Sequence, residues 1–464
     1  MSRPSLQPLL NPNGVVVVGG SDRPDTVGRV VLLNLLSQPF AGRIYAVNPK
    51  PVALEGVTWA ASIDALPAGL DLAVVVTPAP TLPEVVGALG ARGVKVAVVI
   101  TGGVDGGARA AMLAAAEPWG LRIVGPNGLG ALAPHAGLNA SFARGGAQPG
   151  RLAFISQSGA LVSSALSWAG ERGLGFSGVV SVGDMADADM ADLIDLFAAD
   201  SRTDAILLYI EGVHQAARFL SAARAAARVK PVIAIKAGRT AAARAAALSH
   251  TGALAGDYDT HVCAFERAGV VMVETLEDLF DAATVLSATR PRSCERLAIV
   301  TNGGGAAVLA VDGLAAIGAR AAELAPSSIS ELDAALPAAW SRRDPVDLLG
   351  DADAERYRAA LEVVLADPGV DAVLVIHCAT AMRSPVDIAE AVTETIAAAR
   401  ARGVTKPVIG CWMGVGERAA VNAIFSAAKL PLFDEPNGAV RGYGYLLAAA
   451  RARAALMAAP SPRP

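Results

Sequence analysis

Short runs of Val, Ile, Leu and Ala that stop on glycine, serine, threonine or asparagine recur along the whole chain, most of them followed by a helix-length amphipathic segment. Gly14–Val18 runs into Gly19-Gly20-Ser21, Ile44–Val47 into Asn48-Pro49-Lys50, and Leu72–Val76 into Thr77-Pro78. Val94–Ile100 runs into Thr101-Gly102-Gly103, and Ile123-Val124 into Gly125-Pro126-Asn127. Runs this short, largely apolar rather than alternating, read as strands buried on both faces. Buried strands alternating with helices predict parallel, doubly wound sheets. In such sheets ligands bind beyond the carboxyl ends of the strands, where the small and polar residues fall.

The pattern repeats beyond Gly150. Leu152–Ile155 leads into Ser156-Gln157-Ser158-Gly159, Gly178–Val182 into Gly183-Asp184, Ala205–Ile210 into Glu211-Gly212, and Pro231–Lys236 into Ala237-Gly238-Arg239. A change of composition at ATRPRSCE (288–295) reads as a linker. A third stretch then starts with Leu297–Val300 and Thr301-Asn302-Gly303-Gly304-Gly305, continuing through Ala372–Ile376, Pro407–Cys411 and Leu430–Phe433. With 464 residues the chain suits three domains, expected at 1–145, 146–289 and 290–464.

Composition narrows the function. A net charge of -4 with mixed signs argues against a nucleic-acid partner. No apolar run is long and clean enough to span a bilayer, and the N-terminus lacks a secretion signal, so a cytoplasmic protein is expected. Cys263, Cys294, Cys378 and Cys411 are scattered without a CxxC pair and read as reduced thiols rather than disulfide or metal ligands.

Three places carry chemistry. The turn Gly19-Gly20-Ser21 between a strand and a helix lets a backbone approach phosphate, but it is not a clean GxGxxG. After the second strand a dinucleotide site expects a carboxylate; here stands Lys50, which suits a ligand with an extra phosphate such as NADP or coenzyme A and otherwise reads as a solvated lysine. The Ser156-Gln157-Ser158-Gly159 turn offers hydroxyls and free N–H groups at a helix start, either a phosphate cradle or a plain N-cap. Finally, ALSHTGALAG (247–256) breaks an alanine-rich helical run at His250, which places that imidazole on a loop tip. Ser158, Glu211 and the His250 segment all follow strand ends of one expected sheet. The acidic stretch GDMADADMADL reads as a solvated helix start, and His135, His214, His261 and His377 as structural or surface residues.

Taken together, SHTGALAG, SQSGAL, LLYIEG, VGGS, VNPK, VVTP, GPNGLG and DPVDLLGDADAERY resemble, over nearly the whole chain, the alpha subunit of ADP-forming (NDP-forming) acyl-CoA synthetases of the succinyl-CoA ligase superfamily. The resemblance implies a CoA-binding Rossmann domain followed by two flavodoxin-like domains. It implies the reaction of an acid, ATP and CoA to acyl-CoA, ADP and phosphate through an acyl phosphate. His250 takes the phosphoryl-carrying role, Glu211 contacts that histidine, and Ser156, Gln157, Ser158 and Gly159 bind phosphate. Gly19, Gly20, Ser21, Asn48, Lys50, Thr77, Pro78 and Asn127 occupy the places that contact coenzyme A. No stretch resembles the family's ATP-grasp domains, so ATP, ADP and Mg2+ are expected on a separate ATP-grasp beta subunit in a hetero-oligomer. Two departures stand out: Gly128 where the family has Cys, and Gly183-Asp184 where it has Gly-Asn. A CoA-binding protein without turnover and an NAD(P)-dependent oxidoreductase are the alternatives.

Overall fold

The computed structural model describes residues 4–244, 257–289, 294–414 and 416–458. His250 and most of its loop lie outside the described residues. Residues up to Leu276 form one compact unit and those from Glu277 a second.

The first unit opens with β1 (Gly14–Val18), α1 (Val27–Leu36), β2 (Arg43–Val47), β3 (Thr58–Ala60), β4 (Leu72–Val75), α2 (Leu82–Ala91), β5 (Val96–Val99), α3 (Gly106–Ala116) and β6 (Arg122–Val124). The strands form one parallel sheet in the order β3-β2-β1-β4-β5-β6. That is a Rossmann order, whose connections reverse direction between β1 and β4. Val15, Val16 and Val17 are fully buried between the helical layers, as are Leu72 to Val75. Glycine is needed at Gly28, because a Cβ there would collide with the Gly19 carbonyl oxygen. Without one, α1 starts directly against the β1 turn.

The chain then leaves that sheet. β7 (Gly130–Ala133) and β8 (Leu138–Ser141) form a hairpin that pairs antiparallel with β10 (Phe176–Ser181). With β9 (Pro149–Ser156), β11 (Ala205–Ile210), β12 (Val232–Lys236) and β13 (Val270–Val273) they make a seven-stranded sheet, β13-β12-β11-β9-β10-β7-β8. Its five parallel strands follow the flavodoxin order, with the reversal between β9 and β11. The helices α4 (Gly159–Glu171), α5 (Met190–Ala199) and α6 (Ala216–Ala227) connect them.

The acidic stretch before α5 is not solvated. Asp189 and Asp192 form a capping box, and Arg122 of β6 pairs with Asp187 (2.8 Å) and Asp192 (2.9 Å). Arg218 of α6 pairs with Asp189 (2.8 Å) and with Asp192. Arg122 is 5% exposed, so this network ties the last strand of the first sheet to α5 in low dielectric. Removing one partner of such a buried cluster costs about 3–5 kcal/mol.

The second unit carries β14 (Arg296–Thr301), β15 (Arg320–Ala321), β16 (Val346–Asp347), β17 (Ala372–Cys378), β18 (Val408–Met413) and β19 (Leu432–Phe433). Five of them order as β15-β14-β17-β18-β19, again flavodoxin-like, and β16 also pairs with β14. The core between helix Ala354–Ala366 and the sheet holds Tyr357 and Trp412, both fully buried. The fold is therefore α/β throughout, a Rossmann sheet and two flavodoxin-like sheets. Among the described residues no helix is long and apolar enough to cross a membrane.

Candidate functional site

β9 and β11 are neighbours with Ser156 opposite Tyr209, so the residues after both strands meet at the reversal point of the sheet. The turn after β9 is built from its own side chains. Ser156 Oγ accepts from Ser158 N–H (3.1 Å) and donates to Ser158 O (2.8 Å). Ser158 Oγ caps α4 by accepting from Leu161 N–H (3.4 Å). Both hydroxyls are thus used to shape the turn. The N–H groups of Gly159 and Ala160 precede the first intrahelical bond and lie at the positive end of α4. The N-cap and the phosphate cradle are one structure here.

Gln157 is half-buried and spans to β11. Its Oε1 accepts from Glu211 N–H (2.5 Å) and Gly212 N–H (3.0 Å), while its own N–H donates to Tyr209 O (3.2 Å). Glu211 is thereby set beside the cradle, and burial together with its charge pushes the Tyr209 phenol up. The same device recurs in the second unit. Thr301 Oγ1 accepts from Gly303 N–H (3.0 Å), and Asn302 exchanges hydrogen bonds with the backbone of Cys378 on β17 (2.7 and 2.9 Å).

In the Rossmann sheet the turns after β1, β2 and β4 surround the reversal point. Gly19 has φ +89°, a left-handed conformation that glycine adopts freely. A Cβ on Gly20 would lie 3.0 Å from the Ala46 Cβ. Ser21 is buried and its Oγ accepts from Arg23 N–H (3.1 Å). Asn48 braces the arrangement, donating to Gly20 O (2.8 Å) and accepting from Lys50 N–H (3.0 Å). Lys50 is exposed at the rim. Thr77 takes a hydrogen bond on its carbonyl from Thr101 Oγ1 (2.7 Å), and Pro78 starts the turn that follows.

One loop joins the two sheets. Asn127 N–H donates to Thr101 O (2.9 Å) and its Nδ2 donates to Asp184 Oδ1 (3.2 Å). Asn127 has φ +63° and is exposed. Gly128 packs so closely on β10 that a Cβ would lie 2.7 Å from Ser181 O, and Leu129 is 3.3 Å from where a Cβ on Gly159 would stand. The loop 125–130 therefore touches the Rossmann crevice, the end of β10 and the start of α4 at once. Gly128 and Gly183 both lack room for a side chain, since a Cβ on Gly183 would collide with Pro126 O.

Three family profiles match in chain order: a CoA binding domain over residues 13–134, a succinyl-CoA ligase like flavodoxin domain over 149–286, and a Ligase-CoA domain over 297–454. The alpha subunit of ADP-forming acetate–CoA ligase I of Pyrococcus furiosus is 35% identical over 455 residues, covering 95% of this chain and 97% of that one. The chain belongs to the ADP-forming acetate–CoA ligase family. The ADP-forming acetate–CoA ligase I of Archaeoglobus fulgidus is 37% identical over 95% of this chain, and the chain spans 63% of that relative's length. A solved structure of the dinucleotide-forming acetyl-coenzyme A synthetase 1 of Ca. Korarchaeum cryptofilum, in complex with phosphate and ADP, superposes with a TM-score of 0.91 at 35% identity, covering 98% of each chain.

For a ligase of this family the structure adds a residue that the sequence pattern hides. Lys236, at the end of β12, is only 3% exposed. Its Nζ donates to Glu211 O (2.9 Å) and Ala237 O (2.6 Å). Burial holds its ammonium below the usual lysine range, with the Glu211 charge opposing the shift. The signal in the sequence was a lysine closing an otherwise apolar run, which also describes a solvated strand end.

Proposed function

We propose that the chain is the alpha half of an ADP-forming acyl-CoA ligase, interconverting acid, ATP and CoA with acyl-CoA, ADP and phosphate. The observation that carries this reading is the juxtaposition of the Ser156–Gly159 turn with Glu211 at one reversal point, joined by loop 125–130 to a Rossmann crevice.

The residues present fit coenzyme A. The absence of side chains at Gly19, Gly20 and Gly28 opens the β1 turn to a pyrophosphate, and Lys50 stands at the rim for a further phosphate. In the direction of acyl-CoA synthesis the start of α4 holds the acyl phosphate, whose charge the helix N-terminus offsets. The thiol sulfur attacks the acyl carbonyl, the C–O bond to phosphate breaks, and inorganic phosphate remains at Gly159 and Ala160. His250 carries phosphoryl between this cradle and a nucleotide on the partner chain, because a neutral imidazole nitrogen is nucleophilic near pH 7. Glu211 accepts from the other ring nitrogen and steadies the charged phospho form. Lys236 and Gln157 hold the Glu211 backbone and so act as positioning residues. ATP and Mg2+ bind on an ATP-grasp partner.

The test is co-expression with an ATP-grasp subunit, incubation with γ-labelled ATP, and assay against a panel of acids. Label on this chain, acid-dependent turnover, and loss of both in His250→Ala are the expected results. Equal labelling and turnover in His250→Ala would sink the phosphohistidine assignment. CoA binding without labelling or turnover would make the chain a CoA-binding protein instead.

A further inference from the structure

We propose that Asp184 is a charge filter at the acyl end of the site, selecting acids whose chain carries no second negative charge; this rests on the ligase reading above. Asp184 stands at the seam between the two sheets of the first unit. Two residues earlier, Val182 N–H donates to Ser156 O (2.8 Å), so the strand end that carries Asp184 flanks the cradle strand directly. On its other side Asp184 is held by the Rossmann half. Its N–H donates to Pro126 O (2.9 Å), and its carbonyl accepts from Arg109 Nη2 (2.5 Å). Its Oδ1 accepts from Asn127 Nδ2 (3.2 Å).

Three contacts fix where this carboxylate sits, and none of them neutralises it. The Arg109 guanidinium reaches the backbone carbonyl, and the hydrogen bond to the carboxylate comes from a neutral amide. Among the described residues Asp184 forms no ion pair. It is half-buried, so its field is less screened than that of a surface carboxylate. The loop that holds it also touches both places the two substrates must reach, Thr101 in the crevice and Gly159 at the cradle.

A monocarboxylic acid brings one negative charge, and that carboxylate becomes the acyl phosphate at α4. A dicarboxylic acid brings a second, at the far end of its chain, into a site whose wall is already anionic. Like charges a few ångströms apart in a partly desolvated cleft repel by enough for about tenfold discrimination. Neutral or hydroxylated chains meet no such penalty.

The half-reaction that needs no nucleotide tests this on the full chain alone. An oxygen of inorganic phosphate attacks the thioester carbonyl, the C–S bond breaks, and the thiolate leaves to take up a proton as free CoA. Phosphate-dependent thiol release is measured from valeryl-CoA and glutaryl-CoA, which share five acyl carbons and differ in the terminal carboxylate. In Asp184→Asn and Asp184→Ala the glutaryl-to-valeryl ratio of kcat/KM rises about tenfold, and in Asp184→Glu it stays low. A ratio unchanged in Asp184→Asn and Asp184→Ala overturns the filter alone. No phosphate-dependent release from either thioester by the wild type overturns the ligase reading and the filter with it. Should the variants fail to fold, the wild-type ratio decides: it climbs with ionic strength if a fixed charge sets it, and a salt-independent ratio overturns the proposal.

Discussion

The side-chain oxygen of Gln157 accepts the backbone N–H of Glu211 at 2.5 Å and that of Gly212 at 3.0 Å. One amide on the cradle turn thus fixes the position of the carboxylate assigned to orient His250. Truncation in Gln157→Ala leaves two N–H groups without this acceptor, a loss of about 1–3 kcal/mol for each that stays buried. It also frees Glu211 to shift, and displacement by about 1 Å costs on the order of 100-fold in rate. The expected outcome is a fall of that order in kcat with acid and CoA KM values little changed, measured with the ATP-grasp partner present. A change confined to the KM for CoA would contradict the positioning role.

Lys236 is expected to matter through the same carboxylate. Lys236→Met keeps the apolar stem but withdraws the donor from Glu211 O and Ala237 O. Phosphorylation of the chain by labelled ATP should slow at least tenfold, an order of magnitude taken from the loss of one orienting contact. Single-turnover labelling checks this, and near-ultraviolet circular dichroism confirms that the fold is intact. Labelling at the wild-type rate would show that the lysine serves only the strand end.

The sheets were legible in the sequence because strands buried on both faces must be apolar along their length, and Val15–Val17 and Leu72–Val75 are so. The meeting of Ser156 and Glu211 was legible for the same reason: alternation of strand and helix sends every strand the same way, so their ends share an edge. Other features depend on partners distant in sequence. Nothing local in 130–141 tells which sheet that hairpin extends. The Asp187–Asp192 stretch reads as a solvated helix start until Arg122 and Arg218 arrive from β6 and α6. Lys236 reads as exposed until the carbonyls of Glu211 and Ala237 turn toward it. His250, on which the phosphoryl-transfer reading turns, rests on the sequence, since its loop lies outside the described residues.

Gly128 stands where the family carries cysteine, and here a Cβ would lie 2.7 Å from the Ser181 carbonyl. Backbone oxygen cannot rotate away as a side chain can, so the loop and β10 must separate. Gly128→Ala is expected to destabilise the first unit by about 1–3 kcal/mol, as overpacking does, and to weaken CoA binding by moving Asn127. Thermal unfolding and calorimetric titration with CoA check both halves. An unchanged midpoint together with unchanged CoA affinity would mean that the loop absorbs the methyl group without parting from Ser181.

In the second unit Asp344 offers a test that reads stability against pH. Its Oδ1 accepts from Ile299 N–H (2.7 Å) while its buried Oδ2 has no partner among the described residues. Burial pushes its carboxyl up to about 7, the Ile299 hydrogen bond only partly opposing. Because the folded value lies above the unfolded one, Asp344 contributes stability that is complete below about pH 4 and is lost as pH rises through about 7. Buried His377, held down at about 4, works in the opposite sense: its contribution is present above about 6.5 and is lost as pH falls toward 4. The two slopes offset each other in the wild type, so the informative quantity is the difference between wild type and Asp344→Asn. That difference should fall by a few kcal/mol between pH 4 and pH 7, on the order of 1.4 kcal/mol for each pH step over which the carboxyl is protonated only in the folded chain. The amide of Asp344→Asn cannot ionise, so its own contribution stays level. Urea unfolding followed by the fluorescence of the second-unit tryptophans Trp340 and Trp412 gives the two curves. Parallel curves would mean that Asp344 keeps its ordinary carboxylate charge in the folded protein.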